Sequence, residues 1–277
     1  MISRSENYQK VLLAFAFSVA FTPAFAQVDR ARGNAATPAN FASRYALQTS
    51  HPENLTWTPD PASSKRMVLK AIVRDTDQKV FGGLRTEIVP LNEYVREGVR
   101  WYAISVYFPE DWIFHPYPVI VGQLHTSQKG RTLSPPLAFV VHGQNLDLEL
   151  YANHRLVDDA TQPSRENSAR QLIRLASIMK ESWYCFVVRA DWSRRLGEGS
   201  IKIWMNGDKV YESYNLYNQY ETWLGNYPKA GLYVPGMMGV KERMLLLDFI
   251  YLGGPRTGYQ EMAALTPCAG AKVEDAE

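Results

Sequence analysis

Short β-rich runs follow one another along most of the chain, and Gly, Pro, Asn or Asp punctuates most of the breaks. They include "MVLKAIV", "LRTEIV", "RWYAISVYF", "YPVIVGQLH", "LAFVVHG", "LDLELYA", "WYCFVVRADW", "SIKIWMNG", "DKVYES", "KAGLYV" and "RMLLLDFIYLG". Runs of this length and composition form strands, and only layered sheets can bury so many of them. "WMNGDKVY" adds a hairpin signal, because Asn206-Gly207 suits the left-handed positions of a type I′ turn. One stretch is helix-compatible, about residues 165–180, "RENSARQLIRLASIMK", and is predicted as a helix or as an ordered loop crossing the sheets. With seven tryptophans to help fill a core, the pattern predicts an all-β fold. The expected form is a jelly-roll sandwich of two curved antiparallel sheets, one of them concave toward solvent as a groove.

The two ends read differently. Residues 1–26 join a charged stretch (Arg4, Lys10), the apolar run "VLLAFAFSVAF" and "TPAFAQ", the pattern of an export leader cut after Ala26. That apolar run is too short to span a bilayer. The expectation is a periplasmic or secreted protein with no membrane attachment once the leader is gone. Residues 27–50 are predicted as a flexible lead-in, residues 51–258 as one jelly-roll domain, and residues 259–277, which end in "AGAKVEDAE", as a tail. Formal net charge is +2, and +1 without residues 1–26, which excludes general attraction to nucleic acid. Cys185 and Cys268 suit one disulfide in an oxidising compartment, although Cys185, inside a strand-like run, equally suits a buried thiol. There is no CxxC and no clustered Cys/His spacing, so no cofactor is expected, with a structural calcium ion left open. A monomer is expected.

Three strands carry side chains that a plain sandwich does not need. In "YPKAGLY", a period of two puts Tyr227, Lys229, Gly231 and Tyr233 on one face and Pro228, Ala230 and Leu232 on the other. In "GGLRTEIV", Arg85 and Glu87 share a face, opposite Leu84, Thr86 and Ile88. In "VIVGQLHT", Gln123 and His125 share a face, with Leu124 and Ile120 expected to point away. Taken singly, these are a same-face ion pair, a buried histidine and an amphipathic edge strand. Three in one chain point to a functional face.

"RTE", "GQLH" and "YPKAGLY" resemble the R-x-E, Q-x-H and Y-x-K-x-G-x-Y strand motifs of jelly-roll polysaccharide lyases of the alginate lyase type. "WYCFVVRADWSRRLGEGSIKIWMNGDKVYE" followed by "YPKAGLY" is still more similar to the heparin lyase I and glucuronan lyase group. The likeness covers roughly residues 65 to 253. It departs at Pro228, where an aromatic is usual, and at "EIV", where the alginate motif ends in more basic residues.

The resemblance implies an acidic polysaccharide as partner and β-elimination as reaction. The proton on C5 of a uronic acid is α to a carboxylate and is acidified when that carboxylate is neutralised. Arg85 and Gln123 are the candidates for this neutralisation, with Glu87 orienting Arg85. Tyr233 serves as base and acid if the groups leave syn; His125 is the base if they leave anti. Lys229 and Tyr227 are expected to touch a neighbouring sugar, and Gly231 to let a pyranose ring approach the backbone. The rival readings are a carbohydrate-binding module and a glycoside hydrolase. The hydrolase would use Asp147 and Glu149 on one face of "NLDLELY", where the usual third acidic position is Asn145.

Overall fold

In the computed structural model, residues 36–126, 133–153, 168–195, 197–220, 222 and 224–269 are described. Along most strands every second side chain is apolar and buried, and these side chains meet between two antiparallel sheets. One sheet has seven strands in the spatial order β1 (Tyr45–Thr49), β4 (Leu84–Pro90), β13 (Asn226–Val234), β6 (Val119–Thr126), β7 (Leu137–His142), β8 (Asn145–Asn153) and β9 (Ser168–Ser177). The other runs β12 (Asp208–Leu216), β11 (Gly199–Met205), β10 (Ser182–Trp192), β5 (Gly98–Phe108), β14 (Glu242–Leu247), β3 (Ser63–Arg74) and β2 (Leu55–Asp60), and β15 (Tyr251–Gly253) also pairs with β5. This is the expected two-sheet, jelly-roll architecture.

The core between the sheets holds Ile88, Leu124, Phe139, Leu148 and Leu232 from the first sheet and Leu69, Ile104, Phe186 and Val188 from the second. Phe139 and Phe186 stack across it with ring centroids 3.7 Å apart. Each such side chain contributes about 1.5–3 kcal/mol by leaving water. The predicted hairpin is present: Asn206 (φ 53°) and Gly207 (φ 106°) join β11 to β12. Asn206 does a second job there, since its Oδ1 accepts from the Cys185 N–H and its Nδ2 donates to the Trp183 carbonyl.

Several expectations need correction. The helix-compatible stretch is not a helix over its described part: Ser168–Ser177 forms β9, at one edge of the seven-stranded sheet. Its Ala, Leu and Arg favour a helix locally, but Ile173 and Leu175 pack on the core while Arg170 and Arg174 pair with carboxylates of β8. Tertiary pairing outweighs the local preference. The lead-in is not loose throughout, because Tyr45–Thr49 pairs with β4. Nor is the tail free from residue 259: Tyr259–Ala263 is a short helix (α1), and Cys268 is disulfide-bonded to Cys185. The leader, its cleavage point and residues 270–277 lie outside the described residues.

Candidate active site

β4, β13 and β6 are neighbours within the seven-stranded sheet, so their odd faces become one surface. Register does the assembly. Tyr233 lies opposite Arg85 and Gly231 opposite Glu87 across the β13–β4 ladder. Lys229 lies opposite Gln123 and Tyr227 opposite His125 across the β13–β6 ladder. All eight residues picked from the sequence therefore sit on two adjoining ladders. The core-facing partners, Leu124, Ala230, Leu232 and Val234, are fully buried on the other side.

The polar residues bury one another. Glu87 accepts from Arg85 Nη1 at 3.1 Å and from Gln123 Nε2, so one carboxylate ties β4 to β6 across β13. Arg85 Nη2 donates to the Phe81 carbonyl at 3.1 Å, and Cζ lies 3.9 Å from the centroid of the Tyr233 ring. Arg85 therefore supports the phenol from beneath as well as carrying charge into the site. Lys229 is 3% exposed; its Nζ donates to Gln48 Oε1 at 3.1 Å and lies 5.5 Å from the Tyr227 ring centroid. Burial holds its ammonium below the usual lysine range; Glu87 works against that shift and Arg85 adds to it.

His125 is half-buried beside Tyr227, with ring centroids 5.6 Å apart. Burial first, then the positive charges of Lys229 and Arg85, push its pKa down to about 3. The imidazole is therefore neutral at neutral pH. Three polar atoms of this cluster are buried and find no hydrogen-bond partner among the described residues: Arg85 Nε, Gln123 Oε1 and His125 Nδ1. Buried polar groups are normally satisfied, so these three are free to take a partner from outside the chain.

Two expectations about faces change. Ile120 does not point away with Leu124; it joins Ala138, Val140 and Tyr233 in a small apolar cluster on the site side. The register with β7 shifts between Ile120 and Gly122, and the extra residue reverses the alternation from there on. Gly231 meets its steric need inside the protein. Its φ is +135°, and a Cβ there would lie 2.1 Å from the Thr86 carbonyl oxygen, so the β4 backbone and not a sugar explains the glycine.

Sequence reasoning missed Gln48 and Phe81. Gln48 lies opposite Glu87 in the β1–β4 ladder, and its Oε1 bridges Lys229 and Arg85. It belongs to a stretch with no period to signal it. Asp147 and Glu149 lie two strands away from β6, where Asp147 is bonded to Arg174 and His142, and Glu149 to Arg170. Both carboxylates are committed to these partners and are not held as a free acid–nucleophile pair.

Comparison with known proteins identifies the family and the fold. The family model described as polysaccharide lyase matches residues 37–251. No curated protein sequence matches the chain. Among solved structures, endo-β-1,4-glucuronan lyase from the fungus Trichoderma reesei is similar at a TM-score of 0.59 and 20% identity, over 76% of this chain and 90% of that one. Alginate lyase A1-II′, a member of polysaccharide lyase family 7, is similar at a TM-score of 0.53 and 17% identity, over 77% of this chain and 96% of that one. An alginate lyase from Pseudomonas aeruginosa gives a TM-score of 0.51 at 14% identity, over 76% of this chain and 98% of that one. At such identities the structural likeness speaks for the fold, while the family match, spanning most of the sequence, speaks for the kind of enzyme: the chain belongs to the polysaccharide lyase family.

Proposed function

We propose that this lyase cleaves a uronic-acid-containing polysaccharide by β-elimination at the cluster around Tyr233 and His125. The observation that carries the reading is the joint placement, on β4, β13 and β6, of a phenol over a guanidinium and a neutral imidazole beside a buried ammonium. In the proposed reaction a base takes the C5 proton, His125 if the groups leave anti and Tyr233 itself if they leave syn, and the electron pair of that C–H bond forms the C4=C5 double bond. The C4–O bond breaks, and the Tyr233 hydroxyl gives its proton to the departing oxygen. Gln123 and Arg85 neutralise the uronate carboxylate, and Arg85 also favours the negative charge that builds on the phenol. Lys229, with donors beyond its bond to Gln48, takes the carboxylate of a neighbouring sugar. A bound carboxylate offsets the positive charges of Lys229 and Arg85, which come second to burial in depressing His125.

This chemistry needs no cofactor, because proton acceptor, proton donor and neutralising groups are all side chains. The leader-like residues 1–26 support export to the periplasm or beyond, where such polymers are met, and the enzyme is proposed to act as a monomer. Its substrate belongs to the glucuronan-like, heparin-like or alginate-like polymers. Incubating the purified enzyme with a panel of uronate polysaccharides, and following the ultraviolet absorbance of the new double bond, tests the proposal. A rise with at least one polymer is expected; no rise with any of them overturns the choice of substrate class.

A further inference from the structure

Phe81 is 73% exposed, more than any other large hydrophobic side chain among the described residues. It is also held at φ +47°, a region that bulky residues rarely adopt. A ring that gains little from burial and sits on a costly backbone calls for a reason, and backbone outliers concentrate at functional sites.

The turn that carries it is fastened to the reaction centre. Val80 and Gly83 exchange backbone hydrogen bonds at 2.9 and 3.3 Å, and the Phe81 carbonyl accepts from Arg85 Nη2 at 3.1 Å. Gly83 packs so closely on Tyr233 that a Cβ there would lie 2.3 Å from Cε2 of the ring. The Arg85 guanidinium is flanked by both aromatics, 3.9 Å from the Tyr233 centroid and 5.9 Å from that of Phe81. Ile120, Ala138 and Val140 form a buried apolar cluster against Tyr233. These three back the Tyr233 ring, so the exposed apolar face beyond Arg85 is that of Phe81.

A pyranose ring presents a C–H-rich face between polar edges, and an exposed aromatic face is its natural complement, as it is for other flat rings. We infer that Phe81 is a stacking platform for a sugar ring of the polysaccharide, at a binding position beyond Tyr233. This rests on the reading of the Tyr233 cluster as the reaction centre. Stacking there holds ground state and transition state alike, so the platform grips the chain without taking part in the chemistry.

The test is steady-state kinetics of Phe81→Ala and Phe81→Trp on a long uronate polymer and on its shortest cleaved oligomer. Alanine removes the ring but leaves the carbonyl that holds Arg85. For Phe81→Ala on the polymer, kcat/KM is expected to fall about three- to tenfold through KM, with kcat close to wild type. Phe81→Trp is expected to restore it, and the shortest oligomer to be less affected. Equal KM for wild type and Phe81→Ala overturns the inference, and so does a loss confined to kcat, which would make the ring a support for Arg85. If wild-type enzyme generates no ultraviolet absorbance from any uronate polymer, it is the functional reading that has failed. Calorimetric titration of polymer into wild type and Phe81→Ala then decides the platform, with weaker binding by the variant supporting it and equal or absent binding overturning it.

Discussion

Glu87 makes two buried cations tolerable on one face. It bonds directly to Arg85, and its charge works against the depression of Lys229. The third basic group, His125, escapes the crowding by staying neutral, and this has a consequence for stability. In the unfolded chain the histidine takes up a proton near its ordinary pKa of 6.5, whereas in the folded protein it does so only near 3. A group with a depressed folded pKa of this kind is a liability in acid: the unfolded state binds more protons, so stability falls as pH drops from about 6.5 towards about 3. The slope from this single group is at most about 1.4 kcal/mol per pH unit. Urea unfolding of wild type and His125→Gln at a series of pH values across that window should show the wild type losing more stability than the variant. Parallel losses would mean that His125 is not held neutral by its surroundings.

At the scale of elements, β13 lies between β4 and β6 and so sets the spacing of the residues proposed for the reaction. Gly231 is where β13 and β4 come closest, with φ +135° and the Thr86 carbonyl oxygen in the place a side chain would take. Gly231→Ala should therefore push the strands apart, costing about 1–3 kcal/mol from backbone strain alone and more from the clash. A lowered melting temperature together with lost activity is expected; an unchanged melting temperature would contradict this account of the glycine. Period-two alternation survives along β4, most of β6 and β13, and this is why Arg85 with Glu87, Gln123 with His125, and Tyr227 with Lys229 and Tyr233 could be grouped from sequence. Alternation fails where the backbone does something a pattern cannot encode, as at the irregularity in β6 that turns Ile120 toward the site. β9 was obscure for a different reason: its residues favour a helix locally, and only the carboxylates of β8 reveal what its arginines pair with. Gln48 and Phe81 lie in a short first strand and a turn, where register and turn geometry, not composition, bring them to the cluster.

At the scale of the whole molecule, the seven-stranded sheet carries the site and the eight-stranded sheet carries the staple. Cys185 belongs to a small cluster with Val68, Tyr107, Trp183 and Leu246, separate from the main core, and its bond to Cys268 closes a span of 83 residues. Replacing both cysteines by serine should cost about 2–5 kcal/mol in urea unfolding while leaving kcat of the folded enzyme near wild type. An equal unfolding midpoint for the two proteins would show that the staple adds nothing. The proposed reaction turns on one hydroxyl group. Tyr233→Phe deletes it and keeps the ring on Arg85, so steady-state kinetics of this variant on a uronate polymer that the wild type cleaves is the most direct measurement. The account predicts a fall in kcat of about 10²–10⁴-fold with KM little changed, because the proton is given only in the transition state. A normal kcat would contradict it and leave Tyr233 as a packing residue.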